Sequence, residues 1–319
     1  MELRKDYIRD RWVIINPKRG ERPHQFKDIK IPVKDSKESC YFCPGNEKLT
    51  PNEIGRIPDK NSKNSWKMRW FDNKFAVVSL EGNPEIKTDN KYFTYSSAYG
   101  KHEILVETPS HDKQLWDLGV DDIITLFKVY NERIEQLGNI PNIKYVSVFK
   151  NHGREAGTSL VHSHSQIVAY NILPSKISKE IEAIKSYDHC PYCDIINIEK
   201  DSLRQIWVNE RVVAFCPYAS RFQYEVWIFP RRHISRLSEM NDLELKDFAT
   251  ALDKVLKKLK SMNADYNFFL NYAPEGNDLH FHVRVNPRLS IWAGFEYSTE
   301  AVINPVPPED AAKFYNSQS

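Results

Sequence analysis

No window of the 319-residue chain reaches the roughly 18 uncharged apolar residues of a spanning helix. The amino terminus, Met1-Glu2-Leu3-Arg4-Lys5-Asp6, carries charges where a secretory leader needs an apolar stretch. Both absences point to a cytoplasmic protein with no membrane partner. An excess of either charge is also missing. Forty-five Lys and Arg against 43 Asp and Glu leave +2, too balanced for the sequence-independent grip that a polynucleotide requires, so no nucleic-acid partner is expected. Cysteine is scarce, and five in this length cannot make a disulfide scaffold. Low-complexity segments are absent, while 41% hydrophobic residues, with 16 Phe, 16 Tyr and 7 Trp, supply a core and exclude general disorder. Single cores stop growing at roughly 250–300 residues, which favours a two-part chain.

An internal repeat organises those parts. In the first half the strand Glu103-Ile104-Leu105-Val106-Glu107 is followed by His111 and Leu115; in the second, Glu225-Val226-Trp227-Ile228-Phe229 is followed by His233 and Leu237. Each copy then continues into an amphipathic helix. Ile123, Leu126, Phe127, Tyr130, Ile134 and Leu137 recur at helical steps after Asp121-Asp122, as do Leu245, Phe248, Leu252, Val255, Leu256 and Leu259 after Asn241-Asp242. A pair of strands closes each copy: Lys144 to Lys150 with Ser159 to Ala169, and Tyr266 to Asn271 with Leu279 to Val285. Trp12 to Ile15, Phe75 to Val78 and Arg211 to Phe215 read as further strands, and residues 20–65 as long surface loops. Strand runs broken by one long helix per half predict an antiparallel α+β fold rather than a doubly wound sheet. The seam falls near Leu173-Pro174-Ser175, giving halves 1–174 and 175–319.

Four of the cysteines form two tight pairs, Cys40/Cys43 and Cys190/Cys193, and the repeat aligns two histidines with each. The sets are Cys40, Cys43, His111 and His162, and Cys190, Cys193, His233 and His280. Two thiolates and two imidazoles suit tetrahedral zinc, and a closed set without an open position is structural. Two zinc sites are expected, with iron a competitor at the second. A redox dithiol is the alternative, above all for Cys190-Pro191-Tyr192-Cys193, whose spelling resembles a redox motif. Cys216, in an apolar run, reads as an inert core thiol.

The sharpest pattern is Val161-His162-Ser163-His164-Ser165-Gln166. On a strand, His162, His164 and Gln166 share a face with about 6.6 Å between neighbours. With His162 tied to metal, His164 sits on a rigid element, and a neutral imidazole is a competent nucleophile at phosphorus. Gln166 can donate to a non-bridging oxygen. Upstream, the loop Asn151 to Ser159, with Gly153 and Gly157, can present N–H groups, Asn151 and Ser159 to an anion. The matching strand Leu279-His280-Phe281-His282-Val283-Arg284 has Arg284 in place of the glutamine, which predicts one active centre per chain. A reading of another class is a zinc-stabilised binding module without turnover.

At these residues the chain resembles the histidine-triad superfamily, and within it the galactose-1-phosphate uridylyltransferase family and its nucleoside-diphosphate-sugar phosphorylase relatives. The likeness runs from Arg11-Trp12-Val13-Ile14 and Arg19-Gly20-Glu21-Arg22-Pro23 through Cys40-Tyr41-Phe42-Cys43-Pro44-Gly45-Asn46 and the His162 strand to Gly294-Phe295-Glu296. The resemblance implies a duplicated half-barrel of antiparallel strands with flanking helices and a homodimer whose partner completes the sugar end of the site. It also implies a ping-pong transfer of UMP from UDP-glucose to galactose 1-phosphate through a nucleotidyl-histidine at His164. By the same likeness Arg22 contacts phosphate, Asn73 and Asn151 the nucleotide, Ser159 and Gln166 the transferred phosphoryl group, and Glu296 the sugar. Lys74 stands where the bacterial uridylyltransferases carry an aspartate, and Ala301 to Pro305 lacks their hexose-gripping glutamine. The second cysteine pair and the Asn304 to Asp310 tail look more like the plant-type ADP-glucose phosphorylases. Adenylyl transfer from ADP-glucose to inorganic phosphate is therefore the same-fold alternative.

Overall fold

The structure is a computed structural model and describes residues 1–5, 12–15, 37–59 and 65–317. Its elements begin with β1 (Glu2–Lys5), β2 (Trp12–Ile15), β3 (Glu53–Pro58), β4 (Trp66–Asp72), β5 (Lys87–Asp89), β6 (Phe93–Ser97) and β7 (Gly100–Val106). Helix α1 (Val120–Gly138), β8 (Tyr145–His152) and β9 (His164–Tyr170) follow. After α2 (Ser175–Ile184) and α3 (Pro191–Glu199) come β10 (Gln205–Val208), β11 (Val212–Phe215), β12 (Val226–Pro230) and α4 (Asp242–Ser261). The chain finishes with β13 (Tyr266–Asn271), β14 (His282–Pro287), α5 (Gly294–Thr299) and α6 (Pro308–Asn316).

Contacts gather these elements into two compact units. The first comprises Met1–Lys113, Lys128–Val148 and Ser159–Glu182; the second comprises Gln114–Phe127, Phe149–Thr158 and Ala183–Ser319. In the first, β3, β4, β7 and β9 pair antiparallel in that order, and β2, β1, β6 and β5 form a smaller antiparallel sheet. In the second, β10, β11, β12, β14 and β13 pair antiparallel, and Phe149 to His152 of β8 pair with β13. The fold is thus α+β with antiparallel sheets, as the strand runs predict.

Both repeat helices form for the reasons their sequences give. Asn241 caps α4, its Oδ1 accepting from the N–H groups of Leu243 and Glu244 at 3.0 Å each, while Glu244 Oε2 accepts from Asn241 N at 3.0 Å. Arg232 clamps the same carboxylate through two 2.9 Å bonds and holds Glu244 below the usual carboxylate range. The apolar face, Leu245, Phe248, Leu252, Val255, Leu256 and Leu259, is buried, each such side chain contributing roughly 1.5–3 kcal/mol. On α1 the corresponding residues Ile123, Leu126, Phe127, Tyr130 and Leu137 are buried likewise. Cys216 is buried in the second unit, and desolvation pushes its thiol well above the ordinary range, as an inert core cysteine requires.

The structure corrects several expected strands. Phe75 to Val78 form turns and bends, because side chains capture their N–H groups before a ladder can. Asn73 Oδ1 accepts from Phe75 N at 2.9 Å and His102 Nδ1 from Val77 N at 3.3 Å. The strand expected over Ser159 to Ala169 starts only at His164, and that over Leu279 to Val285 only at His282. His162 and His280 therefore precede their strands, and His162 does not share a pleated face with His164. Within the expected loop 20–65, residues 53–58 form β3 against β4; residues 16–36, Arg22 included, lie outside the described residues.

One buried ion pair braces the first unit. Arg133 of α1 donates from Nε and Nη2 to the two carboxylate oxygens of Glu103 on β7, at 2.9 and 2.8 Å, with both side chains buried. Arg133→Met should lower stability by about 3–5 kcal/mol, because the buried Glu103 carboxylate loses both short bonds and keeps only Lys101 Nζ at 3.8 Å. Urea unfolding of the purified variant measures this, and a midpoint equal to wild type would contradict it.

Candidate active site and metal centres

All four side chains of the first predicted cluster converge. Cys40 Sγ lies 3.5 Å from His162 Nδ1, and Cys43 Sγ lies 3.3 Å from His111 Nδ1 and 3.6 Å from His162 Nδ1. A tetrahedral ion bonded to sulfur at about 2.3 Å and to nitrogen at about 2.05 Å would separate those atoms by roughly 3.5 Å. The donors are therefore already spaced for one ion. His162 is oriented by its other nitrogen, since Nε2–H donates to the Thr108 carbonyl at 2.8 Å and leaves the lone pair on Nδ1. All four residues are buried.

The second cluster repeats the geometry in the second unit. Cys193 Sγ lies 3.4 Å from His233 Nδ1 and 3.7 Å from His280 Nδ1, with Cys190 completing the set. His280 Nε2 donates to the Pro230 carbonyl at 2.9 Å, and His233 Nε2 bonds Asp278 Oδ1 at 2.8 Å. Desolvation and the neighbouring Cys190 push the Cys193 thiol up to about 12, so an ion must displace its proton on binding. Cys190 caps α3 and Pro191 opens it, the helix-start position that a redox dithiol also favours. The two convergent imidazoles are what a dithiol alone does not need.

His164 opens β9 directly after the first cluster. Its Nδ1–H donates to the carbonyl of His162 at 2.8 Å, the tautomer that carries the ring lone pair on Nε2. Phe42, between the cysteines, presses edge-on against both rings, with centroids 6.2 Å from His162 and 5.2 Å from His164. On the opposite face of β9, Ser165 Oγ contacts Tyr130 Oη at 2.6 Å and donates to Glu107, which also accepts from Ser163 Oγ at 2.6 Å. The segment carrying His164 is thus held from both sides.

His164 and Gln166 line a cleft of about 700 Å³, mouth included, within the first unit. Tyr41, Phe42, Leu49, Pro51, Phe71, Phe75, Ile104 and Leu160 give it an apolar wall, and Asn73, Lys74, Thr50 and Ser159 supply polar groups. Apolar walls with a few directed polar groups suit a flat ring attached to an anionic group. Of the residues predicted from sequence, Asn73, Ser159, His164 and Gln166 meet here. Asn151, Gly157 and Glu296 belong to the second unit. There Asn151 Oδ1 accepts from Asn267 at 2.9 Å, and Gly157 takes a left-handed φ of 83° in the turn closed by its N–H to Arg154 O. Glu296 caps α5, accepting from Ala293 N at 3.0 Å, and main-chain N–H groups hold its carboxylate below the usual range.

Sequence reasoning missed His102, a buried β7 residue whose Nε2 lies 3.1 Å from both Gln166 Oε1 and Asn73 Nδ2. It directly precedes the repeat strand at Glu103, which is the one signal that could have drawn attention to it.

The second His-x-His strand is built alike but closed. His282 Nδ1 donates to the His280 carbonyl at 2.8 Å, yet its Nε2 accepts from Arg284 Nε at 2.9 Å. Phe229 stacks on its ring at 4.5 Å between centroids.

Residues 2–174 match the family model "Galactose-1-phosphate uridyl transferase, N-terminal domain", and residues 105–314 match "Domain of unknown function (DUF4921)". The chain is 33% identical to ADP-glucose phosphorylase of Arabidopsis thaliana, over 98% of this chain and 91% of the relative. It is 30% identical to galactose-1-phosphate uridylyltransferase of Thermotoga maritima, over 98% and 97%. Among solved structures, the Arabidopsis ADP-glucose phosphorylase with bound ADP-glucose superposes with a TM-score of 0.78 at 31% identity, covering 100% of this chain and 99% of that one. A uridylyltransferase superposes with a TM-score of 0.79 at 26% identity, covering 99% and 97%.

Both cysteine clusters bear directly on metal content. Cys43→Ser should remove about one equivalent of bound metal per chain, because a four-ligand site loses its shared sulfur. Elemental analysis beside wild type is the measurement; unchanged content would mean that these four residues hold no ion.

Proposed function

Because the chain belongs to the galactose-1-phosphate uridylyltransferase family, we propose that it is a nucleotidyltransferase that passes UMP from UDP-glucose to a hexose 1-phosphate, galactose 1-phosphate, through a nucleotidyl-histidine at His164. The observation that carries the proposal is the tautomer of His164, proton on Nδ1 and lone pair on Nε2, at the wall of the cleft. In the first half-reaction the Nε2 lone pair attacks the α-phosphorus. The bond to the bridging oxygen breaks and glucose 1-phosphate leaves with its electron pair. The His162 carbonyl holds the Nδ1 proton throughout and stabilises the imidazolium character of the intermediate. Gln166 and Ser159 donate to the non-bridging oxygens, and Asn73 meets the nucleoside at the apolar wall. In the second half-reaction a phosphate oxygen of the acceptor attacks phosphorus and the P–N electron pair returns to Nε2. Arg22, Asn151 and Gly157 bind phosphates and nucleotide, and Glu296 binds the sugar, in a homodimer working in the cytoplasm.

Cys40, Cys43, His111 and His162, and in the second half Cys190, Cys193, His233 and His280, would hold zinc. Held by four protein ligands, such a metal would supply folding energy and rigidity. Residues 1–174 and 175–319 are duplicate halves, of which only the first turns over.

A second reading is favoured by the 33% identity to the Arabidopsis enzyme: adenylyl transfer from ADP-glucose to inorganic phosphate on the same His164. Substrate labelled at the α-phosphate, offered without acceptor, should leave acid-labile label on wild-type protein and none on His164→Ala. Turnover of the variant should fall by several decades, on the order of 10⁴-fold or more, since only residual positioning remains. Unlabelled wild-type protein that still turns over would exclude the covalent route, and ligand binding with no turnover at all would make the chain a zinc-stabilised binding module. Rates with UDP-glucose and ADP-glucose, each against galactose 1-phosphate and phosphate, separate the two transfers.

A further inference from the structure

We propose that His102 is a positioning residue that sets which end of the Gln166 amide faces the transferred phosphoryl group; the inference rests on the role given to Gln166 above. Three hydrogen-bond neighbours of the buried His102 ring place its proton. At Nδ1 the neighbour is the main-chain N–H of Val77, 3.3 Å away, which can only donate, so Nδ1 is the acceptor. A neutral ring then carries its proton on Nε2. Two side-chain atoms lie 3.1 Å from that nitrogen, Gln166 Oε1 and Asn73 Nδ2. The Asn73 amide is turned by its own Oδ1, which accepts from Phe75 N at 2.9 Å, so its nitrogen faces His102 and cannot take the proton. Of these neighbours, Gln166 Oε1 alone accepts. The opposite assignment, with a reversed Gln166 amide, would set Nδ1–H against the Val77 N–H and crowd two amide donors onto one Nε2 lone pair.

The consequence is directional. With Oε1 engaged by His102 in the interior, the Gln166 NH₂ is the end left to serve the cleft, two residues along β9 from His164. A phosphoryl oxygen gaining negative charge needs a donor; the carbonyl end in that place would repel it. His102 therefore acts on the chemistry through Gln166 without touching substrate.

Two conservative variants divide the two nitrogens of the ring. His102→Gln places an amide nitrogen near the Nε2 position and keeps the donor to Gln166 while losing the acceptor for Val77. His102→Asn reaches only the Nδ1 position, keeping the Val77 bond and losing the donor. The readout is the single-turnover rate of nucleotidyl-histidine formation with labelled nucleotide sugar, together with donor affinity, metal content and thermal midpoint. His102→Asn should slow the step roughly 10- to 100-fold, a part of the cost of deleting one preorganised donor, with donor affinity nearly unchanged. His102→Gln should stay within about threefold of wild type, and adding His102→Asn to Gln166→Ala should cause no further loss. Equal slowing by Gln and Asn, or an undiminished effect of Asn in the Gln166→Ala background, would make His102 merely a packing residue and overturn the inference. Gln166→Ala at wild-type rate would instead remove the role given to Gln166, and the inference with it.

Discussion

The bond from His164 Nδ1–H to the carbonyl of His162 couples two otherwise separate parts of the first unit. His162 is held at both ring nitrogens, by Thr108 through Nε2 and by the cysteine pair through Nδ1, so its main chain has little freedom. Its carbonyl is thus a fixed acceptor, and the only proton that can meet it from the adjacent ring is the one on Nδ1. The Cys₂His₂ cluster and the His164 imidazole need no shared atom to depend on each other here. Order at the first becomes tautomer choice at the second, carried by the main-chain carbonyl of a residue that belongs to the cluster.

Duplication makes the same point by contrast. The second half reproduces the cluster, the second bond on each inner imidazole, and the Nδ1–H to carbonyl bond of the following histidine. What differs lies two residues further on. Arg284 turns back and donates to His282 Nε2 while its guanidinium rests 4.2 Å over Trp227, and Phe229 covers the ring. In the second half the Nε2 lone pair of His282 is engaged internally by Arg284. The same scaffold thus fixes an imidazole in both halves, and the residue two places later, Gln166 or Arg284, differs between them.

Chemistry that fixes residue types at fixed places was legible in the sequence. The two Cys₂His₂ sets could be read because a metal demands those atoms, and the repeat supplied the pairing of distant histidines with each cysteine pair. The helices could be read because Asn241 and Glu244, or Leu245 through Leu259, carry cap and period together. Features made by side chains bonding to main chain were not legible. Phe75 to Val78 has the composition of a strand, yet the Asn73 and His102 side chains, the second 25 residues away from its partner Val77, take its N–H groups in an irregular segment. β9 likewise starts late: its ladder with β7 begins at His164 and Val106, while His162 is engaged at both ring nitrogens by the Thr108 carbonyl and the cysteine pair. His102 carries no signal beyond its place just before the repeat strand: a histidine there gains its meaning from what the fold brings to its two nitrogens.

The contrast between Gln166 and Arg284 also bears on why an amide stands two residues from His164. A guanidinium in that place offers a stronger field to a phosphoryl oxygen, but it carries five donors and no acceptor, and in the second half it takes the imidazole lone pair for itself. An amide offers fewer donors and has one further property, a carbonyl that a neighbour can hold. Held at that end, it cannot turn its oxygen toward the phosphate or compete for His164. The transfer proposed for this chain, which forms a covalent intermediate and then releases it, needs donors strong enough to favour the crowded phosphorus and weak enough not to trap the nucleotide on the ring. A neutral amide anchored from behind meets both requirements, whereas a cation at the same position would deepen the ground state along with the transition state and return little in rate.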